Sequence, residues 1–180
     1  YPCIYVASAS ISSGAAVQSG RVVFLPVDIS LEGYRTVFHT PKVWTGFRNS
    51  LFYTVAGTMV SLVMTLTAAY CLSRKDVPGR NFIMLLFTFT MFFSGGLIPG
   101  YLLIRQLGFL NTVWALIVPG AISVYNLIMA KTFMQNTIPS ELLEASMMDG
   151  CSDIMYYLRV GLPLSKAIIA VLVLFYAVGY

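Results

Sequence analysis

Glu144-Ala145-Ser146-Met147-Met148-Asp149-Gly150, followed nine residues later by Val160-Gly161-Leu162-Pro163, is a compact polar stretch set between two apolar ones. Pro139 suits the first turn of a helix, and Glu141 and Glu144 favour its positive end. A short helix over about residues 140–148 presents Glu141, Glu144 and Met148 on neighbouring turns. Gly150 takes the left-handed conformation that ends a helix and turns the chain. Ser152 or Asp153 then caps a second short helix over IMYYLR, which Gly161-Leu162-Pro163 ends. The expectation is a helix–turn–helix bracket.

What flanks the bracket is membrane sequence. Of the 180 residues, 58% are hydrophobic and only 10% charged, where a water-soluble domain carries roughly 25% charged residues. Mean hydropathy is +0.80. No charge falls in residues 49–73, 81–104, 106–130 or 167–180. A helix needs about 20 apolar residues to cross the hydrocarbon core, and the first three windows meet that length. Helices are expected because lipid offers the backbone no hydrogen-bond partners. The fold class is therefore all-α: a polytopic membrane protein with three complete spans. The window 167–180 reads as a partial span. YPCIYVAS (residues 1–8) has no basic n-region and reads as the tail of a preceding membrane helix.

Charge sets the topology. Arg74, Lys75 and Arg80 crowd the connector after the first complete span, and Lys131, Arg159 and Lys166 flank the bracket. Arg105 stands alone in the connector between them. By the positive-inside rule the first and third connectors face the cytoplasm and the second faces out. Residues 9–47 form an extracellular loop, and 48–180 the transmembrane domain with a cytoplasmic loop at 131–165. In the outer loop GRVVFLP reads as a short strand or extended run. Ser30 caps a short helix over LEGYRTVF, and Pro41 opens another that carries Trp44 and Phe47 towards the interface.

The spans differ in character. Gly57, Ser61 and Thr65 fall four apart in the first and form a packing stripe of small residues. In FIMLLFTFTMFFSGGLIPGYLLI, Gly95, Gly96, Pro99 and Gly100 predict a kink or break. Freed backbone in a membrane must be buried in protein or line a wet cavity, so Ser94, Gly95, Gly96 and Pro99 are candidates for a solute path. Asn126, an amide within the third span, joins them because it must face other helices or water. Trp114 and Tyr125 are weaker candidates.

Other chemistry is sparse. Cys3, Cys71 and Cys151 show no metal-ligand spacing and read as inert apolar residues. His39, Asp28 and Glu32 form no triad or metal pattern, which argues against an enzyme. Uncharged spans argue against a secondary transporter, which often carries intramembrane charge for ion coupling. No G-x-x-x-x-G-K-[ST] loop is present to hold ATP.

The spacing E-A-A, three residues, Gly, nine residues, Ile-x-Leu-Pro resembles the EAA loop of ABC importer membrane subunits, with Ser146 and Val160 as departures. NSLFYT, AAYCLSRKDVPGR, NTVWALIVPG, TIPSELLEA and LPLSKAIIAVLVLFYAVGY are similar to the sugar and oligosaccharide branch, specifically the second permease of maltose-type importers. The resemblance covers essentially the whole chain and implies a six-span permease of a bacterial plasma membrane. It implies an unlike second permease, two ABC ATPase subunits and an extracellular solute-binding protein as partners, with the lipid bilayer and without nucleic acid. ATP and Mg would be bound by the ATPase; the permease itself holds no cofactor or metal and has no catalytic residues. ATPase coupling would fall to Glu141, Glu144, Ala145, Met148, Asp149, Gly150, Leu162 and Pro163. Importers of peptides, polyamines or phosphate share the loop and form the alternative.

Overall fold

The computed structural model describes residues 1–180 and is all-α. It divides into two units, Tyr1–Leu51 and Phe52–Tyr180.

In the first unit α1 (Pro2–Ser10) and α2 (Gly14–Gln18) precede an irregular stretch and then α3 (Glu32–His39). Serines hold the irregular stretch. Ser8 Oγ donates to Phe24 O (2.6 Å), and Ser12 Oγ accepts from Val27 N (3.1 Å). No strand forms over GRVVFLP; a lone antiparallel bridge joins Ser12 to Ile29. Ser30 acts as expected in part: its hydroxyl accepts from Glu32 N (3.3 Å), although Leu31 occupies the cap position. Pro41 opens a helix, but not a separate short one. It begins α4, which runs from Pro41 to Ser73 through Gly46, because no further proline intervenes and a single glycine weakens a helix without ending it.

In the second unit the remaining elements are α5 (Arg80–Phe92), α6 (Leu97–Gln106), α7 (Trp114–Ile117), α8 (Val124–Thr137), α9 (Ser140–Met148), α10 (Asp153–Tyr156), a π turn (Tyr157–Gly161), α11 (Leu162–Leu164) and α12 (Lys166–Gly179). Only α4 is long and apolar enough to cross a membrane alone; Asp153–Leu164 with Lys166–Gly179 passes as a pair bent by 80°. The windows 81–104 and 106–130 are thus not single helices. The first divides at residues 93–96, where Gly96 takes φ +86° with ψ 177°, a conformation essentially reserved for glycine. Pro99 lies in the first turn of α6, where its missing N–H costs nothing. The second divides around Pro119-Gly120, so its helical parts are α7 and the start of α8.

The core joins α4, α8, α10 and α12 through Leu66, Ala69, Tyr70, Leu127, Ala130, Met134, Tyr156, Ile168, Leu172 and Tyr176. The stripe Gly57, Ser61 and Thr65 is buried. It meets α12: Thr65 Oγ1 lies 2.6 Å from Tyr176 OH, and Ser61 Oγ lies 3.1 Å from Tyr180 OH. Tyr176 OH also accepts from Ser123 N (3.2 Å), the cap residue of α8. One phenol thereby satisfies a helix end at the break and ties it to α4, in surroundings where an unpaired group is expensive.

Candidate functional site: the bracket between α8 and α12

Ile138 and Pro139 leave α8 in extended conformation, and α9 occupies Ser140–Met148, the span that Pro139 and Gly150 predict. Leu143 is half-buried against the core, while no residue of α9 is fully buried. Glu141, Glu144, Ala145 and Met148 are exposed. Their three- and four-residue spacing puts Glu141, Glu144 and Met148 along one side. Met148 is 89% exposed.

The end of α9 is a complete hydrogen-bonded cap. Asp149 is its C-cap residue, and Gly150 follows at φ +75°. Gly150 N donates to Met147 O (3.0 Å) and Cys151 N to Ser146 O (2.9 Å). These two bonds define the glycine-dependent Schellman arrangement, which satisfies the last carbonyls and reverses the chain. Ser152 then caps α10, its hydroxyl accepting from Met155 N (3.4 Å).

The second arm differs from expectation. Gly161-Leu162-Pro163 does not end it; the helical path passes through these residues to Leu164. Leu162 N donates to Tyr157 O across the widened π turn. The next residue, Pro163, lacks an N–H just where the register changes, so no bond is lost. The bend comes at Ser165, fully buried, whose N–H is shared between Gly161 O (3.2 Å) and Leu162 O (3.0 Å). Leu162 is half-buried against the core and Pro163 is exposed.

The candidate path residues lie apart from the bracket along the chain. Ser94, Gly95 and Gly96 form the break between α5 and α6, with Ser94 Oγ accepting from Gly96 N (3.2 Å). All three are exposed, as is Pro99. Asn126, in the first turn of α8, is 6% exposed, while Trp114 and Tyr125 are largely exposed. The cysteines are free.

Sequence reasoning missed a polar junction at the end of α4. Arg74, its side chain 9% exposed, donates from Nε to Asp76 Oδ1 (2.9 Å) and from Nη1 to Tyr70 OH (3.2 Å) and to Asp153 Oδ1. Asp76 foremost, then Asp153 and Tyr70, hold the guanidinium protonated against the cost of burial. In return, hydrogen bonding from Arg74 keeps the Asp76 carboxyl below the usual carboxylate range. The charge pattern contained a clue: the positive-inside reading places Arg74 and Asp153 on one side of the membrane.

No protein-family model matches the chain. Over 179 residues it is 45% identical to the polygalacturonan/rhamnogalacturonan transport system permease protein YtcP of Bacillus subtilis (strain 168), covering 99% of this chain and 62% of that one. Protein LplC of the same organism is 44% identical over 178 residues, at 99% and 60% coverage. A crystal structure of a bacterial ABC transporter involved in the import of the acidic polysaccharide alginate superposes with TM-score 0.93 at 39% identity, covering 99% of this chain and 63% of that one. The chain thus spans roughly three-fifths of the length of these relatives.

Proposed function

We propose that this chain belongs to the permease subunits of carbohydrate ABC transporters, which it resembles over nearly its whole length, and that the whole protein is one membrane-spanning half of an ATP-driven importer of polysaccharide-derived oligosaccharides. The bracket is its ATPase docking element. A single observation carries the reading: α9 projects Glu144 and the 89% exposed Met148 beyond the core, on a turn built around Gly150 at φ +75°. Such a rigid projecting helix suits insertion into a cleft. Glu141, Glu144, Ala145 and Met148 contact the ATPase, Asp149 and Gly150 set the turn, and Leu162 and Pro163 root the second arm.

The spans follow from the same reading. α4 is one, α5 with α6 a second, broken at residues 93–96, and α7 with α8 a third. α1 and α12 are parts of two more, in a six-span protein of the bacterial plasma membrane. Residues 9–47 lie outside and 131–165 inside. The broken segment at Ser94–Pro99 and the buried Asn126 line the solute path, shared with an unlike second permease. Two ABC ATPase subunits supply ATP and Mg chemistry, and an extracellular binding protein delivers the solute. The chain itself is not an enzyme.

Coupling is then mechanical. Closure of the ATPase dimer on nucleotide moves the docked α9, and the permease shifts between inward- and outward-open states. Nucleotide drives that shift only through different affinities for the two states. The names of the relatives support carbohydrate cargo over peptide, polyamine or phosphate.

The test is co-expression of the full-length permease with its transport-system neighbours, followed by purification in mild detergent and mass spectrometry. A P-loop ATPase accompanies the native protein and is lost from Gly150→Arg. Equal recovery of an ATPase with both forms, or with neither, would refute the docking role.

A further inference from the structure

Four helix ends meet at the base of the second unit. The last carbonyls of α4 receive Arg80 Nη1 from the start of α5, at Arg74 O (2.9 Å), and Gln135 Nε2 from the end of α8, at Ser73 O (3.2 Å). Arg74 supplies the third connection, to Asp153, the first residue of α10, across 79 residues of sequence. The guanidinium is the buried member: its side chain is 9% exposed, against 58% for Asp76 and 62% for Asp153. It also lies over the Tyr70 ring, 5.9 Å from the centroid. Tyr70 in turn packs on Tyr157 of the π turn, with centroids 4.8 Å apart. Nε, Nη1 and Nη2 are all engaged, an arrangement that needs the planar fork of arginine and that a lysine ammonium cannot reproduce.

An exposed ion pair on its own contributes little. This one differs because its cation is buried and shared between two elements that the chain does not otherwise connect nearby. Asp153 stands three residues beyond Gly150, where the chain turns out of α9. Tyr70 and Tyr157 already pack the end of α4 on the π turn, and Arg74 adds a link at the first residue of α10. With it, the start of the second arm cannot move unless the end of α4 moves too.

We propose that Arg74 is a positioning residue for ATP coupling: through Asp153 it fastens the second arm of the bracket to the end of α4, so that displacement of the docked α9 reaches the α4 helix. The inference rests on the reading that α9 docks on the ATPase. Asp76 orients the guanidinium, and Tyr70 supports it from the helix side.

The experiment uses the complete permease assembled with its partner subunits in nanodiscs. Hydrogen exchange is followed with and without MgATP plus orthovanadate, at residues 66–74 and 150–160. In the native complex the nucleotide changes exchange in both segments. Arg74→Gln and Asp153→Asn keep the response at 150–160, and the response at 66–74 falls at least about fivefold, the low end of ordinary site-to-site coupling. Arg74→Lys falls between. A full response at 66–74 in either variant overturns the proposal, as does a native complex that responds at 150–160 alone. Failure of both variants to assemble assigns Arg74 to folding and likewise overturns it. Gly150→Arg in the same preparation separates the two claims. Loss of ATPase there, with no effect of Arg74→Gln, leaves docking standing and removes Arg74 from coupling.

Discussion

Replacing Gly150 isolates backbone conformation from contact. Its φ is +75°, and a Cβ added there meets nothing within 4 Å. A side chain therefore has room, and the cost of substitution is confined to the left-handed backbone. For an L-residue that cost is roughly 1–2 kcal/mol, and less for asparagine, which bonds locally in this region. If α9 docks only when the turn is formed, the penalty appears directly as lost affinity. At 1.4 kcal/mol per factor of ten, alanine weakens ATPase binding about 5- to 30-fold. Asparagine falls between glycine and alanine, and valine is worse than alanine because β-branching suits this region least. The assay is a titration of purified ATPase onto permease variants in nanodiscs, with thermal stability measured alongside. Equal affinity for glycine and alanine, or equal losses for asparagine and alanine, would refute the reasoning.

Three further outcomes are expected. Met148→Ser removes a side chain that is 89% exposed, so melting is unchanged, while ATPase binding weakens at least about tenfold from about 1.5–3 kcal/mol of lost apolar burial. Thr65→Val deletes the partner of Tyr176 OH at 2.6 Å, which lowers stability by about 1 kcal/mol in a denaturation experiment; no loss would show the bond to be dispensable. Asp76 has a depressed pKa because of Arg74. Its contribution is therefore fully present above the unfolded carboxylate value of about 3.9 and is lost as pH falls through the lower folded value. The gap in melting temperature between the native protein and Asp76→Asn should stay constant from neutral pH to about 5 and close below about 4. A gap that closes near pH 6 would contradict the assignment.

How much of this was legible in the sequence depends on whether the deciding signal is local. α9 was legible because Pro139 and Gly150 stand at its two ends and each acts within one turn. The break at residues 93–96 was legible from Gly95-Gly96 and Pro99, which predicted a kink or break, although Pro99 itself falls in the first turn of the following helix. The stripe Gly57, Ser61, Thr65 was legible from its spacing, but its partners were not. Tyr176 lies 111 residues from Thr65, and nothing in its surroundings marks its hydroxyl as a cap for α8. The second arm misled for a local reason: Gly-Leu-Pro usually ends a helix, and here a π turn placed the proline where no N–H was needed. The window 106–130 misled because apolar content reports membrane depth and not helical continuity. Arg74 was counted as one charge among several, since composition does not show that a charge is buried.

The most direct test of docking is a cross-link from α9 itself. Cys3, Cys71 and Cys151 are replaced in the full-length permease, a single cysteine is placed by Met148→Cys, and a short bifunctional reagent is applied to the assembled complex. The account predicts a permease–ATPase adduct from position 148 and none from Leu97→Cys, although Leu97 is 88% exposed. An assembled, ATP-hydrolysing complex that gives no adduct from position 148, or gives it equally from position 97, would contradict the account.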